Sequence, residues 1–190
     1  MHRIISLIFL SLTISAQNVD WSRANECPVG DEQFVAELME TMTIEEKVGQ
    51  VIMGDLDFVS PSDLKNYPLG GILNGGNTSP RGKLRASPEE WKSLAQEFYE
   101  VSTTRGGANI PVLWGTDAVH GHSNVFGATI FPHNVGLGAT NNPDLLEKIG
   151  AAVAEEVIAT GLYWTFAPTV TVPQTTDGEE LMRVIQKVLN

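Results

Sequence analysis

The sequence is short of cysteine and of basic residues, and each shortage excludes a class of protein. Its single cysteine, Cys27, cannot form an internal disulfide and has neither the C-x-x-C partner nor the nearby histidine of a zinc or redox site. Twelve Lys and Arg residues stand against 23 Asp and Glu residues, a net charge of -11 that repels phosphate backbones and anionic lipid surfaces. We therefore expect a globular chain with no nucleic-acid partner.

Only one long apolar run is present, from Ile4 to Ile14, between the basic start at Arg3 and the small residues Ser15 and Ala16. It is shorter than the roughly 20 residues that a membrane span needs. The layout predicts a signal peptide over residues 1–16, a secreted protein in the extracellular space or the periplasm, and no membrane contact after cleavage. Asn77 begins an N-glycosylation sequon that matters only in a eukaryotic source.

After an expected N-terminal extension over residues 17–34, helical patterns alternate with short apolar runs. Thr43 and Ser87 each precede a glutamate by three positions, the spacing of a capping box at the start of a helix. Asn142 before Pro143 predicts the start of a third helix, which Gly161 ends. Helices between apolar strands are typical of α/β proteins.

The apolar runs at 69–73, 110–114 and 162–167 lack polar alternation, which indicates parallel strands covered on both faces. The glycines after Leu73 lack the G-x-G-x-x-G spacing of a dinucleotide site, so a (β/α)₈ TIM-type barrel is favoured over a doubly wound sheet. A closed barrel typically takes about 250 residues. We therefore predict a partial barrel that contains roughly the first strand-helix units.

The densest polar stretch, residues 115–124, begins where the 110–114 strand ends. Active sites of barrels lie on the loops after the strands, so Asp117 is a candidate for binding two adjacent hydroxyls of a sugar. The alternative is that Asp117 caps a turn or pairs with a cation.

The histidines of this stretch allow two interpretations. His120 and His122, with His133 further on, could supply nitrogen ligands to a metal, or they could hold a long loop against the rim of the barrel. No second acidic or cysteine ligand stands at a recognisable spacing, so we expect no metal site and no cofactor. Asp55 and Asp57 could form a carboxylate pair, but solvated loop residues are the expectation for both.

The run from 110 to 139 (IPVLWGTDAVHGHSNVFGATIFPHNVGLGA) resembles the N-terminal barrel domain of glycoside hydrolase family 3, in particular its secreted β-glucosidases. Shorter matches at 42–50 (MTIEEKVGQ), 70–76 (GGILNGG) and 164–170 (WTFAPTV) follow in the order of the family. The resemblance covers about residues 35–173 and implies a partial family 3 barrel domain over that range. It also implies that Asp117 binds hydroxyls of the non-reducing glucosyl unit and that His120 and His122 support the loop.

The resemblance ends after Pro173, and residues 174–190 are predicted to form a divergent amphipathic helix. Retaining glycosidases use two carboxyl groups about 5 Å apart. In the family the nucleophile lies in a later Ser-Asp-Trp-like segment and the acid/base lies later still, and this sequence contains neither segment. We therefore predict no catalytic residue in this chain.

The leading hypothesis is an N-terminal fragment of a β-glucosidase that acts on a β-glucoside or oligosaccharide and is inactive alone. One alternative is a non-catalytic secreted domain that binds glucosides through Asp117 and the Gly75-Gly76 rim. The other is a metal-dependent barrel hydrolase that uses His120 and His122. The sequence indicates no oligomeric state.

Overall fold

The computed structural model describes residues 32–168. The chain divides between Glu40 and Thr41 into two units, and the first contributes all but the last residue of the helix Glu32–Thr41. The second unit holds the sheet and the remaining helices. The helices are α1 (Glu32–Thr41), α2 (Ile44–Gln50), α3 (Pro88–Thr104), α4 (Asn134–Ala139) and α5 (Pro143–Ala159), the strands are β1 (Met53–Asp55), β2 (Gly71–Asn74), β3 (Leu113–Thr116) and β4 (Trp164–Thr165), and 3₁₀ turns lie at Pro61–Lys65 and Pro80–Gly82.

Local hydrogen bonds start the helices where the sequence predicts. Thr43 and Glu46 form a complete capping box before α2, and Ser87 and Glu90 form one before α3. The Asn142 side chain accepts from the backbone N–H of Leu145 and begins α5. In each case the cap satisfies a backbone donor that the first helical turn leaves without a partner.

The four strands form one parallel sheet in the order β1-β2-β3-β4. Each strand pairs with the next one in sequence, so no strand-order reversal occurs within the described sheet. Residues in register include Asp55 with Leu73, Leu73 with Gly115, and Gly115 with Trp164. The predicted α/β class with parallel strands is confirmed.

One face of the sheet is packed against α3. Ile72 and Trp114 are buried in register, and the Trp114 ring lies 6.0 Å from that of Trp91 and 5.4 Å from that of Phe98. Burial of aromatic rings of this size supplies much of the core energy in a domain of this kind. The α3 helix therefore sets the position of β2 and β3.

The opposite face carries apolar side chains that remain partly open. Met53 is 37% exposed and Leu113 is 49% exposed. Trp164 and Phe166 meet edge to face at 5.0 Å, and a side chain at Gly115 would collide with both. Since side chains alternate along a strand, these residues share the face that the helices leave uncovered.

Several expectations need correction. Asp55 ends a strand, β1, that the sequence did not predict, because three residues are too few to show a period. The other strands are shorter than predicted, and β2 and β3 are also shifted toward their carboxyl ends. For β3 the reason is Pro111, which cannot donate to a ladder. The predicted signal peptide and the 174–190 helix lie outside the described residues. No helix within residues 32–168 is long and apolar enough to span a membrane.

Candidate functional site

Polar side chains gather at the carboxyl edge of the sheet. Asp55, Asn74 and Thr116 are the last residues of three neighbouring strands, and Asp117 follows directly. Since parallel strands all point the same way, their ends lie along one edge. The edge therefore combines carboxylate, amide and hydroxyl groups.

Asp117 lies in a tight turn fixed by its neighbour. The carbonyl of Thr116 accepts from the backbone N–H of Ala118 at 3.1 Å and from that of Phe166 at 3.0 Å. The Asp117 side chain is half-buried and makes no hydrogen bond or ion pair with any residue from 32 to 168. The alternative that Asp117 caps a turn or pairs with a cation has no contact to support it in this part of the chain.

Two glycines beside this turn leave open space. Gly75 follows Asn74, and its carbonyl accepts from the Asn124 side chain at 3.0 Å, which holds the loop after β3 against the end of β2. A Cβ built on Gly76 would meet no atom of the described chain within 4 Å. The backbone here could therefore be approached closely by a bound molecule.

The Asn74 side chain joins the ends of β2 and β3 beneath the turn. Its Oδ1 accepts from Trp114 Nε1 at 2.8 Å, and its Nδ2 donates to Thr116 Oγ1 at 2.9 Å. Asn74 and Thr116 are fully buried. Sequence reasoning missed this cluster, although the position of Asn74 at the end of an apolar run was a usable signal.

Asp55 and Asp57 stabilise the loop after β1. The Asp55 carboxylate accepts from the backbone N–H of Asp57 at 2.8 Å, and Asp57 accepts from the Thr78 hydroxyl at 3.3 Å. Asp57 is exposed and Asp55 half-buried. The expectation of solvated loop residues is right for Asp57 but wrong for Asp55, because that carboxylate ends a strand and closes a turn.

His122 is fully buried against the ring of Trp91 at 5.6 Å. The Thr160 hydroxyl donates to the Val157 carbonyl at 2.6 Å, so it accepts from His122 Nε2 at 2.9 Å. The other ring nitrogen has no partner among the described residues. Burial lowers the pKa of His122 to about 4, although the negative charge of Glu156 acts to raise it. The ring is therefore neutral near pH 7.

His120 and His133 lie together in a different place, with ring centroids 5.1 Å apart. His133 Nδ1 accepts from the backbone N–H of Val135 and caps α4, and the His120 carbonyl accepts from Phe131. No three His, Cys, Asp or Glu side chains in the described part of the chain converge as a metal site would require. The histidines of the metal hypothesis are thus engaged in capping, packing and loop contacts.

Comparison with known proteins gives a family match. Residues 43–180 match the model of the glycosyl hydrolase family 3 N terminal domain. The chain is 28% identical over 181 residues to a lysosomal beta glucosidase of Dictyostelium discoideum, covering 87% of this chain and 21% of that protein. It is 28% identical over 150 residues to a periplasmic beta-glucosidase of Salmonella typhimurium, covering 76% of this chain and 17% of that protein.

Among solved structures, the exo-1,3/1,4-beta-glucanase of a Pseudoalteromonas species is similar at 48% identity with a TM-score of 0.68. The match covers 73% of this chain and 18% of that one. This chain thus spans about a fifth of the length of the curated relatives that it matches. The relatives are glycosidases, and they favour neither the non-catalytic nor the metal-dependent alternative.

Proposed function

The chain belongs to glycosyl hydrolase family 3, and we propose that it contributes the glucosyl-binding part of a β-glucosidase that removes terminal β-D-glucosyl residues from glucosides or oligosaccharides. The observation that carries the proposal is the half-buried Asp117 carboxylate at the carboxyl edge, which no described residue neutralises. An ionised carboxylate has two oxygens that can accept two adjacent sugar hydroxyls together. Hydrogen bonds to such a charged acceptor are stronger than those between neutral groups.

We propose further that the sheet is part of a (β/α)₈ barrel. The sequential order β1-β2-β3-β4 is the order of barrel strands, whereas doubly wound sheets reverse direction at a switch point. The partly exposed face of Met53 and Leu113 also supports this, since both faces of a parallel sheet are normally covered. In a closed barrel this face would line the interior.

His120 and His122 are assigned to support of the loop after β3. His122 links that loop to Thr160 in the helical layer, and the His120 carbonyl ties the loop to Phe131 at 2.9 Å. Neither side chain needs to touch the substrate in this role. Their contribution is to hold the residues that follow Asp117.

Hydrolysis by a retaining glycosidase needs two catalytic carboxyl groups in addition to a sugar-binding residue such as Asp117. Asp117 can hold hydroxyls, but the two-carboxylate chemistry of a retaining glycosidase needs both a nucleophile and an acid/base. We therefore propose that the 190-residue chain binds the sugar and does not hydrolyse it. We also propose that residues 1–16 direct the chain out of the cytosol and are removed by cleavage near Ala16. The lysosomal and periplasmic relatives support a non-cytosolic location.

An NMR titration of the 190-residue chain with methyl β-D-glucoside tests the binding role. We expect shifts of amide signals around Gly75, Asp117 and Ala118, and loss of binding in Asp117→Asn, because an amide cannot accept two hydroxyls as a carboxylate does. The matched control is Glu155→Gln, which removes an exposed carboxylate from α5 and is expected to bind as the parent chain does. Binding that survives in Asp117→Asn would contradict the assignment.

An assay with an aryl β-glucoside tests the catalytic part of the proposal. The chain is expected to release aglycone no faster than buffer, because loss of covalent or acid/base assistance costs roughly 10²–10⁴-fold or more. Turnover by the purified chain would show that a catalytic carboxylate lies within these residues.

A further inference from the structure

The side chain of Asn74 has one orientation that satisfies its neighbours. An indole N–H can only donate, so the amide oxygen of Asn74 must face Trp114 Nε1. The amide nitrogen is thereby directed to Thr116 Oγ1, and it also lies 3.4 Å from the Gly75 carbonyl. One buried amide thus spans the last residues of two strands.

These bonds act on the backbone on either side of Asp117. The side chain of Thr116 is held by Asn74, and its carbonyl accepts from Ala118 and Phe166. The backbone before Asp117 is consequently tied to the strand on each side of β3. Such a turn fixes the direction of the Cα–Cβ bond of Asp117 and so limits where its carboxylate can lie.

A buried polar cluster stabilises a fold no better than apolar side chains of the same shape would. Replacing both partners of a buried hydrogen bond by apolar groups of the same shape is often neutral or stabilising. Yet an amide and a hydroxyl occupy the register pair Asn74 and Thr116 just before Asp117, while the next pair on the same face, Ile72 and Trp114, has only the indole N–H as a polar group. The difference in chemistry coincides with the edge where the ligand site lies.

We propose that Asn74 is a positioning residue for glucoside binding, which acts through Thr116 to fix the direction of the Asp117 carboxylate. The inference rests on the proposed function, because it requires Asp117 to hold the sugar. At metal sites, groups that orient a ligand side chain through a second layer of hydrogen bonds typically change affinity or activity 10–100-fold when they are removed, and we expect the lower end of that range here.

The test compares Thr116→Val, Thr116→Ser and Ser102→Ala in the 190-residue chain. Thr116→Val keeps the side-chain shape but removes the acceptor of the Asn74 bond, whereas Thr116→Ser keeps the hydroxyl. Ser102 is a matched control, since its buried hydroxyl accepts from the backbone N–H of Val112 just before β3, at the other end of the strand. The readouts are the Kd for methyl β-D-glucoside, measured well below the melting temperature, and the urea midpoint.

We expect Thr116→Val to weaken binding about tenfold and Thr116→Ser to restore it to within about twofold of the parent. Ser102→Ala is expected to lower the urea midpoint with an unchanged Kd. A merely structural role for the cluster would lower the midpoint of Thr116→Val and leave its Kd unchanged, which would overturn the inference. If Asp117→Asn also binds as the parent does, the proposed function fails first, so the two failures are distinguishable.

If Thr116→Val does not fold in the 190-residue chain, a chimera supplies the measurement. Residues 43–168 of this chain then replace the matching segment of the Pseudoalteromonas glucanase, and the same three variants are assayed by kcat and KM. A rise of about tenfold in KM for Thr116→Val, with recovery in Thr116→Ser, supports positioning. A KM equal to that of the parent chimera overturns it.

Discussion

Two carboxylates, Glu46 at the amino end of the sheet and Asp117 at its carboxyl end, have different surroundings. At the amino end, Glu46 is buried and accepts from the backbone N–H groups of Ala108 at 2.8 Å and Thr43 at 2.9 Å. At the carboxyl end, Asp117 has no such partner among the described residues. The Glu46 carboxylate thus has backbone donors within the described residues, and the Asp117 carboxylate is the one to which we assign a ligand.

The glycines follow the same division. Gly107 has a φ of +74°, and a Cβ there would collide with the Glu46 carboxylate. Gly76 is outside the left-handed region and faces open space. The amino end is thus closely packed at Gly107, and the carboxyl end has open space at Gly76, where we propose that the ligand binds.

The largest expected effect on stability comes from His122. Its pKa in the folded chain is about 4, below the ordinary value of 6.5, because the ring is buried. The unfolded chain therefore binds the proton more readily, and stability present above pH 6.5 is lost as the pH falls toward 4, by up to about 3 kcal/mol. Urea unfolding across this range checks it.

The control for the pH experiment is a His122→Asn variant, which keeps His120 and His133. We expect most of the pH dependence between 6.5 and 4 to disappear in that variant. An unchanged profile would show that His122 does not carry the effect. The low pKa of Glu46, caused chiefly by the N–H of Ala108, adds a separate loss of stability only as the pH falls below 4.5.

Replacement of Glu46 tests the closed end of the sheet. Glu46→Ala leaves two backbone N–H groups without their acceptor and is expected to lower the free energy of unfolding by about 2 kcal/mol. Glucoside affinity should not change, because the carboxyl edge is untouched. A large loss of affinity in a variant that remains folded would contradict the separation of the two ends.

Alanine substitutions at Gly107 and Gly76 are expected to have smaller and different effects on stability. Gly107→Ala is expected to lower the free energy of unfolding by about 1–2 kcal/mol, because alanine must adopt a left-handed backbone against Glu46. Gly76→Ala meets no such contact and should be neutral or stabilising by up to about 1 kcal/mol. We expect it instead to weaken glucoside binding, as measured by NMR titration. Equal affinity in both variants would argue that the open space at Gly76 is not used by the ligand.

The sequence predicts those features that depend on near neighbours. The capping boxes of Thr43 and Ser87 are recognisable because each involves a residue three positions away. Strand β1 was missed because three residues carry too little pattern. The bond from Asn74 to Thr116 joins residues 42 positions apart, and that from His122 to Thr160 joins residues 38 apart. No local sequence pattern predicts contacts between residues so far apart in the chain.

Asp117 is a candidate binding residue on two grounds, its position in the sequence and the family resemblance. Its position after an apolar strand indicated a polar group at the edge, and the family resemblance suggested a sugar as the ligand. The sequence already disfavoured His122 as a metal ligand because no further ligand stands at a recognisable spacing. Its actual contacts, burial against Trp91 and the bond to Thr160, depend on the packing of α3 and α5 and had no local signal.

The central claim is that Asp117 serves the ligand and not the fold. Urea unfolding of the parent chain and of Asp117→Ala, each with and without methyl β-D-glucoside, tests it most directly. A ligand that binds only the folded state raises its stability in proportion to ln(1 + [L]/Kd). We predict that Asp117→Ala unfolds at the parent's midpoint or above without glucoside and gains nothing when it is added, whereas the parent is stabilised. An equal gain in both chains, or a loss of stability in Asp117→Ala alone, would contradict the account.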